Sequence, residues 1–194
     1  MPVAESELHY TDPYQLLVAV ILSAQCTDKR VNMTTPALFE AFPTPYHMAR
    51  ATAEEIYPYI RSISYPNNKA RNLAGMARML CEEFGGEVPS DLEQMQRLPG
   101  VGRKTANLIL GDIYGQEGYV CDTHCIRITG RLGITDGSKD PLKVEQQLRK
   151  VIPPEESNNF CHRMVLHGRA LCMARGPLCS ECPLQSLCDY GKEQ

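Results

Sequence analysis

Helix start and stop signals recur along the whole of this 194-residue sequence, and no alternating apolar–polar run is long enough to read as a strand. That absence confines the chain to the all-α class. Asp12-Pro13 places an N-cap before a proline at the first helical position. It opens a run through Leu22 that is apolar on every side, as in a central buried helix. Thr52 with Glu55 and Ser90 with Glu93 have capping-box spacing, and Pro58 inside the first of these segments predicts two short helices there. Ala70, Leu73, Ala77, Leu80 and Phe84 mark one face of a helix that stops at Gly85-Gly86. Asp140-Pro141 begins another helix, ended by Pro153-Pro154, and 157–171 reads as one more.

An apolar share of 43% and a charged share of 22% are those of an ordinary globular protein, which excludes a disordered or low-complexity chain. The longest purely apolar run, 16–22, is seven residues, whereas a membrane-spanning helix needs about 20, so no membrane partner is expected. Residues 1–7 show no basic stretch leading into an apolar one, so no secretory signal is read and the expected location is cytoplasmic. In that compartment, an odd nine cysteines with four gathered in the last 23 residues indicate a metal or redox site rather than a disulfide frame. Cys26, Cys81, Cys121, Cys125 and Cys161 are expected as small buried hydrophobes.

The net charge of −3 gives no overall basic footprint, but the charges are unevenly placed. Arg61, Lys69, Arg71 and Arg78 occupy one acid-free window, and Arg97, Arg103 and Lys104 another; between them 82–93 carries five acids. The windows suit nucleic acid, or simply solvate helix faces. The second window contains Leu98-Pro99-Gly100-Val101-Gly102-Arg103-Lys104. Pro99 stops one helix, and Gly100 and Gly102 permit a tight reversal with close approach of backbone to a ligand. The next helix then offers N–H groups and a positive dipole end to an anion. Lys104 stands in its first turn, where it is either a phosphate contact or an amine nucleophile. Asp122, in Val120-Cys121-Asp122-Thr123-His124, has the setting of an N-cap and would be a fixed carboxylate. In the tail, Cys172-x6-Cys179-x2-Cys182-x5-Cys188 matches neither the longer separation usual between zinc clasps nor the common ferredoxin spacings.

These residues, together with Leu22-Ser23-Ala24-Gln25-Cys26-Thr27-Asp28 and Leu166-His167-Gly168-Arg169, resemble in order and spacing the helix-hairpin-helix DNA glycosylases, and within them the endonuclease III family. The resemblance runs over nearly the whole chain. It implies a two-lobed helix-hairpin-helix glycosylase fold: a six-helix lobe over 6–116 with the hairpin at about 91–112, and a lobe of 1–5 and 117–194 carrying a 4Fe-4S cluster on 172–188. It implies a monomeric base-excision-repair enzyme of the bacterial cytosol. Such an enzyme removes oxidised or damaged pyrimidines from double-stranded DNA and cleaves 3′ to the abasic site by β-elimination. Lys104 and Asp122 are then catalytic, through a lysine Schiff base. Gln25, Tyr65, Gly100, Gly102, Arg103 and Arg175 contact DNA, and Cys172, Cys179, Cys182 and Cys188 hold the cluster. Gln25 fills the space left by the flipped base. Arg127 and His167 are read as structural. A monofunctional or mismatch-directed glycosylase, and a non-catalytic iron–sulfur DNA-binding protein, are the rival readings.

The chain departs from the family pattern at Ser64-Tyr65-Pro66-Asn67-Asn68, where relatives have glycine and an aliphatic wedge; Tyr65 takes the wedge position. It also begins about one helix later than is usual, and Arg175 is the lone arginine of its cysteine loop. If the basic windows are the DNA footprint, affinity falls steeply with added salt despite a pI near 6.0, by about one power of salt concentration for each phosphate neutralised. A fluorescence-anisotropy titration at two salt concentrations checks this.

Overall fold

The computed structural model describes residues 7–193. The signal reading over the first residues, and the placement of 1–5 in the second lobe, therefore fall outside the described residues. Within 7–193 there are helices and turns but no strand, and no helix is long and apolar enough to cross a membrane. The chain gathers into two compact units, Glu7–Ile113 and 114–193.

The first unit contains α1 (Pro13–Ser23), α2 (Asp28–Ala41), α3 (Pro45–Ala49), α4 (Ala53–Ile60), α5 (Pro66–Glu83), α6 (Leu92–Arg97) and α7 (Arg103–Tyr114), the last reaching its boundary. In α1 the Asp12 carboxylate accepts the Gln15 N–H at 2.9 Å, and Leu16 to Leu22 are all buried, so this is the expected central helix. Helices α2 and α5 pack against it. The stripe Ala70, Leu73, Ala77 and Leu80 lies in the core, and α5 ends where Gly85 and Gly86 take the left-handed conformation that lets the chain reverse.

Two boundaries correct the sequence reading. Pro58 does not divide its segment: α4 runs unbroken from Ala53 to Ile60 behind the full Thr52/Glu55 capping box. Its ring removes only the bond to the carbonyl of Glu54, an exposed residue, while Ile56 and Ile60, four apart, are both completely buried and hold the turn. The cap of α6 is Asp91, accepting the Gln94 N–H at 2.9 Å, rather than Ser90. Aspartate caps as well as serine does, and the later start carries Met95 and Leu98 together into the core.

The second unit contains α8 (Thr123–Arg131), α9 (Pro141–Leu148), α10 (Pro154–Ala170) and short 3-10 turns at Cys179–Glu181, Gln185–Leu187 and Gly191–Glu193. Helix α10 starts three residues before the expected 157, because Pro154 takes the first helical position instead of merely ending what precedes it. Helices α8 and α10 meet at Gly168, where a Cβ would come within 2.6 Å of the His124 ring and 3.0 Å of Arg127.

Replacing Leu17, fully buried in α1, with alanine should cost about 2–5 kcal/mol of stability, read as a lowered urea midpoint with an unchanged slope.

Candidate functional site

In the first unit, helix α5 organises the groups expected to face DNA. Pro99 packs on it at Gly75, whose Cβ would lie 3.2 Å from the Pro99 ring. Gly100 has φ +82°, and a Cβ there would meet the Asn72 side chain at 3.0 Å. Gly100 is thus glycine for two reasons internal to the fold. Gly102 differs: its φ is ordinary and a Cβ would enter open space, so the protein itself does not require glycine there. Arg103 and Lys104 form the first turn of α7, with Lys104 exposed.

Just before α5, Tyr65 has φ +56° and is 63% exposed; at the end of α1, Gln25 has φ +53° and is also exposed. These are the described non-glycine residues with positive φ, a conformation held only where the surroundings enforce it. The surroundings here are explicit. Ser64 Oγ donates to the Gln25 carbonyl at 2.8 Å, and Lys69 Nζ donates to the carbonyls of Leu22 and Ala24 at 2.8 and 2.6 Å. The structure therefore joins the Gln25 and Tyr65 loops.

It also corrects the charge map. Lys69 is only 5% exposed and caps the carboxyl end of α1 instead of joining a surface footprint, and burial pulls its ammonium below the usual lysine range. Arg78 is spent on the carbonyls of Ala49 and Ala51, and Arg97 pairs with Glu83. Sequence reasoning missed the role of Lys69; the available signal was a lysine one turn into an otherwise buried helical stripe.

In the second unit, Asp122 caps α8. Its Oδ1 accepts the N–H groups of His124 and Cys125 at 2.9 and 2.8 Å, and its Oδ2 lies 3.0 Å from His124 Nδ1. The carboxylate side chain is 13% exposed and fixed by three hydrogen-bonding groups from two residues. Gly168 lets the His124 ring lie against α10, so the Leu166-to-Arg169 motif supports Asp122 through His124. Cys121, Cys125 and Cys161 are buried as expected, and Cys125 sits between the other two thiols, which together with burial push its thiol far up; Cys26 and Cys81 are only half-buried.

Cys172, Cys179, Cys182 and Cys188 line a single cavity, whose other lining residues include Ile128, Leu171, Arg131 and His167. None of the nine cysteines is in a disulfide. Among the described residues no three His, Cys, Asp or Glu side chains converge to hold one metal ion. Four thiols that share one cavity without converging on a single point suit a polynuclear iron–sulfur centre better than one zinc ion. Arg131 clasps this loop: its Nη1 donates to Cys172 Sγ at 3.2 Å and to the Met173 carbonyl at 2.8 Å, and its guanidinium stacks over Tyr190 at 4.7 Å. Arg127 donates to the Cys172 carbonyl and His167 Nε2 lies 3.7 Å from Cys182 Sγ, so both side chains contact the cysteine loop. Arg131 was missed, although its spacing of four from Arg127 puts the two on one helix face. Arg175 is exposed on the loop.

Comparison with known proteins agrees with these parts. Residues 18–154 match the family model of the HhH-GPD superfamily base excision DNA repair proteins, and 172–188 match the iron–sulfur binding domain of endonuclease III. The chain is 48% identical over 188 residues to the endonuclease III of Synechocystis sp., covering 96% of this chain and 85% of that protein. It is 42% identical over 193 residues to the endonuclease III of Bacillus subtilis, covering 100% and 88%. A solved structure of a trapped endonuclease III–DNA covalent intermediate superposes with a TM-score of 0.93 at 44% identity, covering 99% of this chain and 90% of that one.

Purified protein should be yellow-brown with broad absorption in the blue. Cys182→Ser should lower both iron content and colour by more than half, and a colourless wild-type protein containing zinc would refute the assignment.

Proposed function

Since this chain belongs to the endonuclease III family, DNA glycosylases with abasic-site lyase activity, we propose that Lys104 is its nucleophile and Asp122 the carboxylate that assists it. The chain is a bifunctional base-excision enzyme carrying a 4Fe-4S cluster, and it binds DNA. The observation that carries the residue assignment is an exposed amine in the first turn of α7, directly after the hairpin, in a family one of whose members has been trapped covalently on DNA.

The chemistry follows from these groups. A damaged nucleotide leaves the stack at a cost of roughly a few kcal/mol, less than for an intact base. Gln25 fills the vacated space and Tyr65 enters the opposite strand's stack. Nζ of Lys104, having given up a proton, attacks C1′ while the glycosidic bond breaks and its electron pair leaves with the base. Asp122, its Oδ1 fixed by the N–H groups of His124 and Cys125, stabilises the positive charge that develops on the sugar and receives the lysine proton. Ring opening gives a Schiff base. Loss of the C2′ proton then expels the 3′ phosphate and breaks the strand. Gly102 and Arg103 meet backbone phosphate, as does Arg175. Cys172, Cys179, Cys182 and Cys188 hold the cluster, which shapes the loop that carries Arg175. Its substrates are oxidised or otherwise damaged pyrimidines, and it acts as a monomer in the bacterial cytosol.

Borohydride reduction on abasic duplex should give a covalent adduct that Lys104→Ala abolishes, with the captured sugar mapped to Lys104. Asp122→Asn preserves the cap and should still lower base release about 10²–10⁴-fold in single-turnover assays. An adduct on another residue, or none, overturns the assignment.

A further inference from the structure

Gln25 and Tyr65 have separate tasks on DNA, yet the structure ties them to one helix, and the tie runs through a residue that the chemistry does not use. Lys69 lies in the first turns of α5, four residues after Tyr65, and its Nζ reaches back to the carbonyls of Leu22 and Ala24. Both carbonyls belong to the end of α1, where the chain leaves the helix and turns into Gln25. A lysine suits this place on two counts. It brings several donors to carbonyls that no longer have an intrahelical partner, and its charge faces the negative end of the α1 dipole. Burial makes it a demanding choice, since a residue only 5% exposed surrenders most of its hydration. Ser64 adds the second tie, to the carbonyl of Gln25 itself.

Gln25 and Tyr65 both hold left-handed backbones that neither residue favours. Loops left to relax would abandon that conformation, and each would then have to be reordered on the DNA. We propose that Lys69 is a positioning residue for base extrusion: by pinning the end of α1 to the start of α5, it keeps Gln25 and Tyr65 set as one preformed pair that enters the duplex together. Lys69 touches neither the sugar nor the base. Its effect falls on the step that needs both inserted groups, extrusion of a still-attached damaged base. Cleavage at a site that has already lost its base is largely spared, because nothing remains there to be expelled from the stack.

The inference rests on the lyase reading, and its test separates the two. Lys69→Met keeps the length and apolar stem and removes the donors. Single-turnover rates are measured for release of a ring-saturated pyrimidine and for cleavage of the same duplex carrying a preformed abasic site, with 2-aminopurine beside the lesion reporting extrusion. Base release and the fluorescence rise should slow at least 10-fold, while abasic-site cleavage changes less than 3-fold. In a Gln25→Ala background, Lys69→Met should add little further loss of base release, whereas a merely structural lysine would add its full effect. Should Lys69→Met fail to accumulate as folded protein, Ser64→Ala removes the other tie and should slow base release selectively by a few-fold. Equal losses in both assays, or no loss in either, would overturn the proposal. Absence of a borohydride adduct in the unaltered protein would instead overturn the role of Lys104.

Discussion

The seating of the hairpin on α5 is the contact on which the rest of the first unit depends. Pro99 can settle there because residue 75 has no side chain, and the chain can turn beside Asn72 because residue 100 has none. With these two spaces open, α5 carries the hairpin at its middle and the Tyr65 turn at its start, and Lys69 extends its hold to the end of α1. A single rigid helix thus fixes the spacing of three loops, which is how a surface of weakly structured segments acquires the precision that duplex recognition requires.

The second unit solves a related problem with hydrogen bonds instead of shape. A carboxylate that must be correctly aimed is made the cap of α8, where two backbone N–H groups fix one oxygen and the His124 ring the other. The histidine is in turn held by its fit against Gly168. Folding and the orientation of Asp122 therefore share one set of contacts. The cysteine loop is treated likewise: Arg131 grips Cys172 and Tyr190 near its two ends.

The features legible in the sequence were those with local causes. Asp12-Pro13, the Thr52 box, the α5 stripe and the Asp122 cap each depend on residues within a turn or two, and each appears where the periodicity and cap chemistry put it. The four terminal cysteines were legible by spacing, although that spacing alone did not choose between metals. Lys69 was misjudged because a charge count cannot tell that a lysine points inward at carbonyls 45 and 47 residues away. The Pro58 and Ser90 expectations erred for a similar reason: burial of Ile60 and Met95 in the core outweighed the local rule. Arg131 was invisible because its partners, at 172 to 174, are brought near only by the fold.

The two glycines of the hairpin answer to different pressures. Gly100 is demanded by the protein's own geometry, so any replacement is penalised in the isolated molecule. At 102 the backbone is one that alanine adopts freely and the space beyond is empty. Alanine there would narrow the unfolded ensemble and favour the native state by about 0.4–1 kcal/mol. A glycine kept at 102 is therefore a standing sacrifice of thermostability, and only contact with another molecule can return it.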